Sequence, residues 1–297
     1  MKYSTLRPNT QRGVTLLELL VGITIGLLTI AVAMGALMVS RGVTSSVGDV
    51  SDLQQQASYA FRVIGSQLRQ SGSIKLKLSA AQLDDNTPVL AGEAVAFETD
   101  YTDGTSSFTL SSDTLSGLDS PGASEYKLTT GYRNYKENVY LRKDPSAPPA
   151  PESVLRDCLG EEGTSTLLRS QFVLNAATNE LRCAGTGAPQ PIIRNVANFQ
   201  VRYLMQTAAG TGNPNLRYVN AATVGAPGTP GWAQVFAVEV CLVLYGSEKL
   251  NLPAGSTYTD CDGATPVDLI TLAEPRNQRV HMVFRNVYQL RSQGLSG

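Results

Sequence analysis

One histidine and one tryptophan occur in 297 residues, and the histidine scarcity is the more restrictive. With His281 alone, set in an alternating strand-like stretch, a histidine-based triad or a multi-histidine metal centre has almost nothing to work with. HExxH, GxSxG and phosphate-loop patterns are missing. Ser124 and Lys127 match SxxK, but its SDN and KTG companions are absent and the segment reads as a loop, so coincidence explains it better. Charge is also sparse: 16% of residues are charged and the formal net charge is −1, without the strongly basic balance that marks a nucleic-acid binder. Four cysteines contain no CxxC-like pair, which argues against zinc. Asp260-Cys261-Asp262-Gly263 and Asp100-Tyr101-Thr102-Asp103-Gly104 lack the full ligand order of a calcium loop and read as aspartate–glycine turns. The chain is expected to be no enzyme, with no cofactor, no metal and no nucleic-acid partner.

Proline is absent from Val14 to Ser71, and between Arg12 and Arg41 the sole charged residue is Glu18. About 20 apolar residues cross a bilayer, so Val14–Val39 is long enough. Lys2, Arg7 and Arg12 hold the leader in the cytoplasm and place the chain beyond Arg41 in the periplasm. A secretory signal peptide, with Ala31-Val32-Ala33 as its cleavage site, is the rival reading, but its apolar core runs only about 7–15 residues and needs no carboxylate. A plain membrane anchor explains the length and neither Gly13 nor Glu18. A carboxylate inside such a span costs a few kcal/mol, so it either finds a partner or snorkels to the headgroups.

The run Arg12-Gly13-Val14-Thr15-Leu16-Leu17-Glu18, ahead of this span, resembles the cleavage site of type IV prepilins. The resemblance implies that a membrane peptidase cuts between Gly13 and Val14 and that the freed amine is methylated. It also implies assembly contacts at Val14, Thr15 and Glu18, with the glutamate meeting the Val14 amine of a neighbouring subunit. Gly22 and Gly26 form a GxxxG pair, which allows close helix packing in an apolar medium. Gly35 stands where major pilins commonly carry proline, and it loosens a helix by about 1 kcal/mol relative to alanine.

Beyond the span, Val47, Val50, Leu53, Ala57, Ala60, Phe61, Ile64 and Leu68 form one apolar stripe, while Asp49, Asp52, Gln55, Arg62 and Arg69 take other faces. Gly72 is the expected stop, which gives an unbroken helix of roughly 85 Å. The expected segments are a leader at 1–13, a membrane and filament-core helix at 14–40, an amphipathic continuation at 41–72, and a β-rich periplasmic head at 73–297. The predicted fold is α+β and type IV pilin-like: a long N-terminal helix packed on an antiparallel sheet with long loops.

In the head, a hairpin is predicted with strands Gln171–Leu174 and Glu180–Cys183 around a turn at Asn175–Asn179. Further strands are expected at Ala94–Glu98, Ser107–Leu110, Val196–Met205, Val235–Tyr245 and Val280–Val287. Val235–Tyr245 is apolar on both faces apart from Glu239 and reads as central. Asp144–Pro151, Ala208–Trp232 and Leu252–Pro266 read as loops. The four cysteines lie in the exported part and allow three pairings. Sequence proximity favours Cys158–Cys183 and Cys241–Cys261, each worth about 3 kcal/mol.

Arg156-Asp157-Cys158-Leu159-Gly160, Glu180-Leu181-Arg182-Cys183, Pro189-Gln190-Pro191-Ile192-Ile193, Phe199-Gln200-Val201-Arg202-Tyr203, Trp232 with Val235–Leu242, and Tyr258-Thr259-Asp260-Cys261-Asp262-Gly263 succeed one another in an order that resembles the C-terminal half of PilW-type minor pilins. Residues 75–150 show no such likeness. The resemblance implies a minor pilin that helps initiate a type IV pilus and is incorporated into it, supporting adhesion and twitching motility. Its implied partners are the prepilin peptidase, other minor and major pilins, the inner-membrane assembly platform and, before assembly, the lipid bilayer. Its implied location is the inner membrane, with one pass and the head periplasmic, and then the pilus at the cell surface. A minor pseudopilin of type II secretion is the alternative.

Overall fold

A proline-free run of 3.6-periodic residues dictates the first element. The computed structural model describes residues 13–73, 76–77, 96–97, 100–102, 107–139, 150–207 and 215–290. The basic leader, residues 78–95, 98–99, 103–106 and 140–149, and residues 208–214 lie outside the described residues, and with them Gly104 and parts of the expected strand Ala94–Glu98. Helix α1 spans Leu16–Gln70 and crosses the boundary between two compact units, residues 1–49 and 50–297.

In the first unit, Leu16–Met38 has a mean hydropathy of 2.4 and is wholly exposed, long and apolar enough to cross a membrane. Its two threonine hydroxyls are satisfied within the helix, Thr24 donating to the Val21 carbonyl at 2.9 Å and Thr29 to that of Gly26 at 2.8 Å. An apolar medium demands such internal pairing, since it offers no water.

In the second unit, Leu53, Ala57, Ala60, Ile64 and Leu68 recur at three- and four-residue steps and are almost fully buried. They share one core with side chains from two antiparallel sheets. Val47, expected on this stripe, is 64% exposed, and Asp49, expected on an outward face, is buried; both sit at the stripe's end, where the period no longer decides the facing. After Gln70 the chain leaves the helix through Gly72, whose φ of 69° suits a residue without a side chain, and Gly72 N–H donates to the Gly131 carbonyl at 2.9 Å. Gly65 lets the Tyr288 ring lie directly on the helix, where a β-carbon would collide with it; the Tyr288 hydroxyl donates to the Phe61 carbonyl at 2.7 Å. Burial of that phenol pushes its pKa up to about 12.

The head continues with β1 (Leu76–Lys77), β2 (Ala96–Phe97), β3 (Asp100–Thr102), β4 (Ser107–Thr109), α2 (Leu110–Asp113), β5 (Leu115–Ser116), β6 (Leu128–Arg133), β7 (Lys136–Val139) and β8 (Ala150–Ser153). Then come β9 (Leu167–Asn175), β10 (Glu180–Ala184), β11 (Gln190–Ile193), β12 (Val196–Thr207), β13 (Asn215–Val219), α3 (Ala221–Val224), a 3-10 turn at Pro230–Gln234, β14 (Val235–Tyr245), β15 (Thr257–Thr259), β16 (Pro266–Asp268) and β17 (His281–Gln289). One sheet orders β11-β10-β9-β6-β5 and the other β13-β12-β14-β17. Strand β14 is hydrogen-bonded on both sides, Val240 facing Val201 of β12 and Asn286 of β17, as its two-faced apolar sequence requires. The β9–β10 hairpin pairs Asn175 with Glu180.

Three expected loops contain regular structure. Asp144–Pro151 runs into β8, where Pro151 faces Asn138 in a two-stranded ribbon, an edge setting in which proline is found. Ala208–Trp232 includes the edge strand β13, the turn-length helix α3 and the 3-10 turn. Leu252–Pro266 holds β15 and the first residue of β16, a strand position that tolerates proline. Of the expected strand Ser107–Leu110, the last residue instead opens α2.

Candidate functional site

Gly13, Val14 and Thr15 precede α1, and Thr15 caps it: its carbonyl accepts the Leu19 N–H at 3.1 Å. Thr15 Oγ1 accepts the Glu18 N–H at 3.3 Å, while Glu18 Oε2 accepts from the Thr15 N–H and from the Thr15 hydroxyl, both at 3.0 Å. Thr15-Leu16-Leu17-Glu18 is therefore a reciprocal capping box, a local signal that the family-motif reading of the sequence passed over. The positive end of the helix dipole favours the carboxylate in this first turn as well. The one charge in the span is thus held by its own chain, with the Val14 side chain 74% exposed beside it. The structure brings Thr15 and Glu18 together through these three hydrogen bonds.

No heavy atom lies within 4 Å of the position a β-carbon would take at Gly13, so the fold itself makes no demand for glycine there. Among the described residues the same holds at Gly22 and Gly26.

The cysteines form the two sequence-local pairs, Cys158–Cys183 with Cα atoms 6.4 Å apart and Cys241–Cys261 with Cα atoms 5.8 Å apart. The first ties the loop before β9 to β10; the second ties the β15–β16 hairpin over the outer face of β14, where Ala197, Tyr258 and Val283 complete a small apolar cluster. Arg285 clamps the same turn, donating to the carbonyls of Asp260 at 3.1 Å and Cys261 at 2.9 Å. The Asp262 carboxylate accepts the Ala264 and Thr265 N–H groups, both at 2.9 Å, and hydrogen bonds with Thr265 lead the causes that hold its pKa down at about 2. This is an aspartate turn, as its incomplete ligand order indicated. Lys127 of the SxxK match donates to the Asp119 carbonyl at 2.6 Å.

A buried polar link was not read from the sequence. Gln67, facing the core from α1, accepts from Ser170 Oγ at 2.8 Å and lies 3.1 Å from the Tyr132 hydroxyl, which also donates to the Arg156 carbonyl at 2.5 Å. Ser170 Oγ in turn accepts the Cys158 N–H at 3.0 Å, so helix, sheet and disulfide loop share one satisfied network. A lone glutamine among apolar residues carries no periodic signal that would reveal it.

His281 is sandwiched between the Tyr258 ring at 4.8 Å and the Tyr245 ring at 5.8 Å, and its Nδ1 lies 3.0 Å from the Arg279 carbonyl. Its Nε2 is buried without a hydrogen-bond partner. Arg276 and Asp260 are the nearby charges, and desolvation dominates, lowering its pKa below 6.5. A lowered folded pKa makes the unfolded chain the first to take up a proton as pH falls. Stability of the head is therefore expected to decline from about pH 6.5 downward until folded His281 protonates, by at most one proton's linkage. Urea midpoints between pH 7.5 and 5 test this: His281→Phe should flatten that portion of the profile, and an unchanged slope would refute the assignment.

Comparison with known proteins adds two matches. Residues 159–292 match the family model of type IV pilus-assembly protein W, and residues 8–34 match the prokaryotic N-terminal methylation motif. Among solved structures, a type IV-like pilin from Thermus thermophilus aligns at 16% identity over 81% of this chain and 96% of its own, with a TM-score of 0.35. No curated protein matches.

Proposed function

We propose that this chain is a minor pilin that helps initiate a type IV pilus and enters the filament, since residues 159–292 match the family model of type IV pilus-assembly protein W and the N-terminus matches the prokaryotic methylation motif. The observation that carries this reading is the pairing of an unpacked Gly13 with a capped Glu18 at the mouth of a membrane-length helix. Among the described residues Gly13 makes no packing contact that requires glycine, which is compatible with its serving as the residue after which the peptidase cuts. The freed Val14 amine then stands one residue before the capping box, exposed to a neighbouring subunit.

Docking exchanges one Glu18 partner for another. Before assembly the charged carboxylate is solvated by hydrogen bonds from Thr15, which reduces its cost in lipid. On assembly a neighbour's methylated Val14 amine brings a full positive charge, and in a medium of low dielectric that attraction outweighs neutral hydrogen bonds. The exposed residues of Leu16–Met38 give up lipid for the corresponding helices of other pilins, with Gly22 and Gly26 allowing close approach. The peptidase and the assembly platform act on the chain in the inner membrane, and the β-rich head stands in the periplasm until it is carried outward, where it contributes to adhesion and twitching. The role is structural, with no reaction catalysed.

N-terminal sequencing of the protein from membranes or sheared filaments tests the reading. The mature chain is expected to begin at methylated Val14, and Gly13→Val should leave the leader attached. A chain beginning at Met34 would instead mark a secretory signal peptide.

A further inference from the structure

We propose that the Cys158–Cys183 bond is a redox-sensitive latch on the last turns of α1, opened by a dithiol that attacks the Cys158 sulfur while the Cys241–Cys261 bond stays closed. The inference goes beyond the pilin reading and does not depend on it.

The two disulfides differ in access. Cys183, Cys241 and Cys261 are at most 2% exposed, whereas Cys158 is only partly buried, and Gly160 and Glu161 just beyond it are exposed. Thiol–disulfide exchange requires the attacking thiolate to reach a sulfur directly, so access decides which bond yields. The bond on β14 offers no such approach, because Cys241 and Cys261 are enclosed with Ala197, Tyr258 and Val283. At the other bond, one thiolate of the dithiol bonds to Cys158 Sγ, the S–S bond breaks, and Cys183 leaves as a thiolate that takes up a proton. The second thiolate then displaces Cys158 from the mixed disulfide, and the Cys158 thiolate is protonated in turn. The dithiol is thereby oxidised to a disulfide and the protein bond reduced to two thiols.

What this bond latches is the polar seat of α1. Cys158 N–H donates to Ser170 Oγ at 3.0 Å, Ser170 Oγ donates to Gln67 Oε1 at 2.8 Å, and Gln67 Nε2 lies 3.4 Å from the Arg156 carbonyl. Residues 156 and 158 thus hold Gln67 from two sides, and the bond to Cys183 fixes the second of them to β10. Gln67 and Ser170 are buried, so partners abandoned by a moving loop meet no water, and the helix end loosens with the loop. Asp157, between the two, limits the motion. Its carboxylate accepts the Thr186 N–H at 2.8 Å and the Leu159 and Glu161 N–H groups at 2.9 Å, bonds that survive reduction. Reduction therefore makes opening of the seat more frequent without releasing the loop, and the two thiols stay close enough to re-form the bond.

The test uses the full chain in bilayer nanodiscs, incubated with graded dithiothreitol, alkylated with iodoacetamide and peptide-mapped. Cys158 and Cys183 are expected to be labelled at least about tenfold faster than Cys241 and Cys261. Under conditions that open only the first bond, hydrogen exchange at the α1 amides of residues 64–70 should quicken at least about tenfold, while residues 53–60 keep their protection. Gln67→Ala removes the helix side of the seat. It should show the faster exchange while still oxidised and gain less than about twofold more on reduction, with both disulfides intact as its folding check. Equal or reversed labelling of the two pairs overturns the proposal, as does unchanged exchange at residues 64–70 after selective reduction. A full tenfold response in Gln67→Ala overturns it as well, because the bond would then act on the helix by a route other than this seat.

Discussion

Glu18→Ala is expected to leave the subunit in the membrane and cleaved after Gly13, yet to lower its amount in sheared filaments at least about tenfold. Removing a carboxylate from a bilayer-spanning helix relieves a cost of a few kcal/mol, so insertion should not suffer. The helix keeps the Thr15 side of its cap, because Thr15 Oγ1 accepts the Glu18 backbone N–H and that donor survives the substitution. What is lost, on the mechanism proposed above, is the attraction to a neighbour's amine. Two unit charges 4 Å apart attract by about 4 kcal/mol at an effective dielectric of 20, and 1.4 kcal/mol already changes an equilibrium tenfold. Glu18→Gln separates the two roles of the side chain. Glutamine can complete a capping box but carries no charge, so it should hold the helix start and still fail in assembly. Immunoblots of sheared filaments against membranes read both variants; normal incorporation of the glutamine form would show that capping, and not charge, is what matters at this position.

Trp232→Ala should cost the head about 3–5 kcal/mol, the largest single-residue loss expected from a side chain in the core. Trp232 is fully buried, meets the Tyr203 ring edge-on with centroids 4.9 Å apart, and its Nε1–H lies 3.0 Å from the Ala226 carbonyl and 3.2 Å from that of Gly225. Truncation opens a cavity, removes an aromatic pair and strips a buried carbonyl pair of its donor. Tyr203, buried behind it with its phenol pKa raised by desolvation, would border the void. Since this is the only tryptophan, unfolding of the variant is followed by far-UV circular dichroism in urea. Trp232→Phe retains the ring and should recover part of the loss. A shift of the midpoint equivalent to less than about 1 kcal/mol in the alanine form would mean the surrounding loop collapses into the space.

How much of this was legible in the sequence depends on whether one physical signal governed the segment. Strand β14 was readable end to end because burial on both faces leaves an unbroken apolar run, and the β9–β10 turn because Asn175 to Asn179 interrupts two alternating stretches. The helix was readable from its stripe and its lack of proline. Strand β6 was not: Leu128-Thr129-Thr130-Gly131-Tyr132-Arg133 has no alternation, since Thr130 and Arg133 are buried and Gly131 sits where a β-carbon would strike the Asp113 carbonyl. The three presumed loops were judged by their prolines and glycines, which punctuate short edge strands as readily as loops. At the N-terminus the reverse occurred. Glu18 was recognised for its relation to another subunit, and its relation to Thr15, three residues away, went unread although the threonine-to-glutamate spacing stood in plain view.

The bond between Cys241 and Cys261 has a mechanical consequence. The filament subunit proposed above would carry load, and a two-stranded hairpin such as β15–β16 is the kind of element that peels away one hydrogen bond at a time. Cys261 does not hang from an edge. It is joined to the middle of β14, which is gripped along both flanks by β12 and β17. Tension applied through the hairpin turn therefore enters the sheet at its best-held strand and must shear two ladders at once, so the turn cannot lift away ahead of the body that carries it.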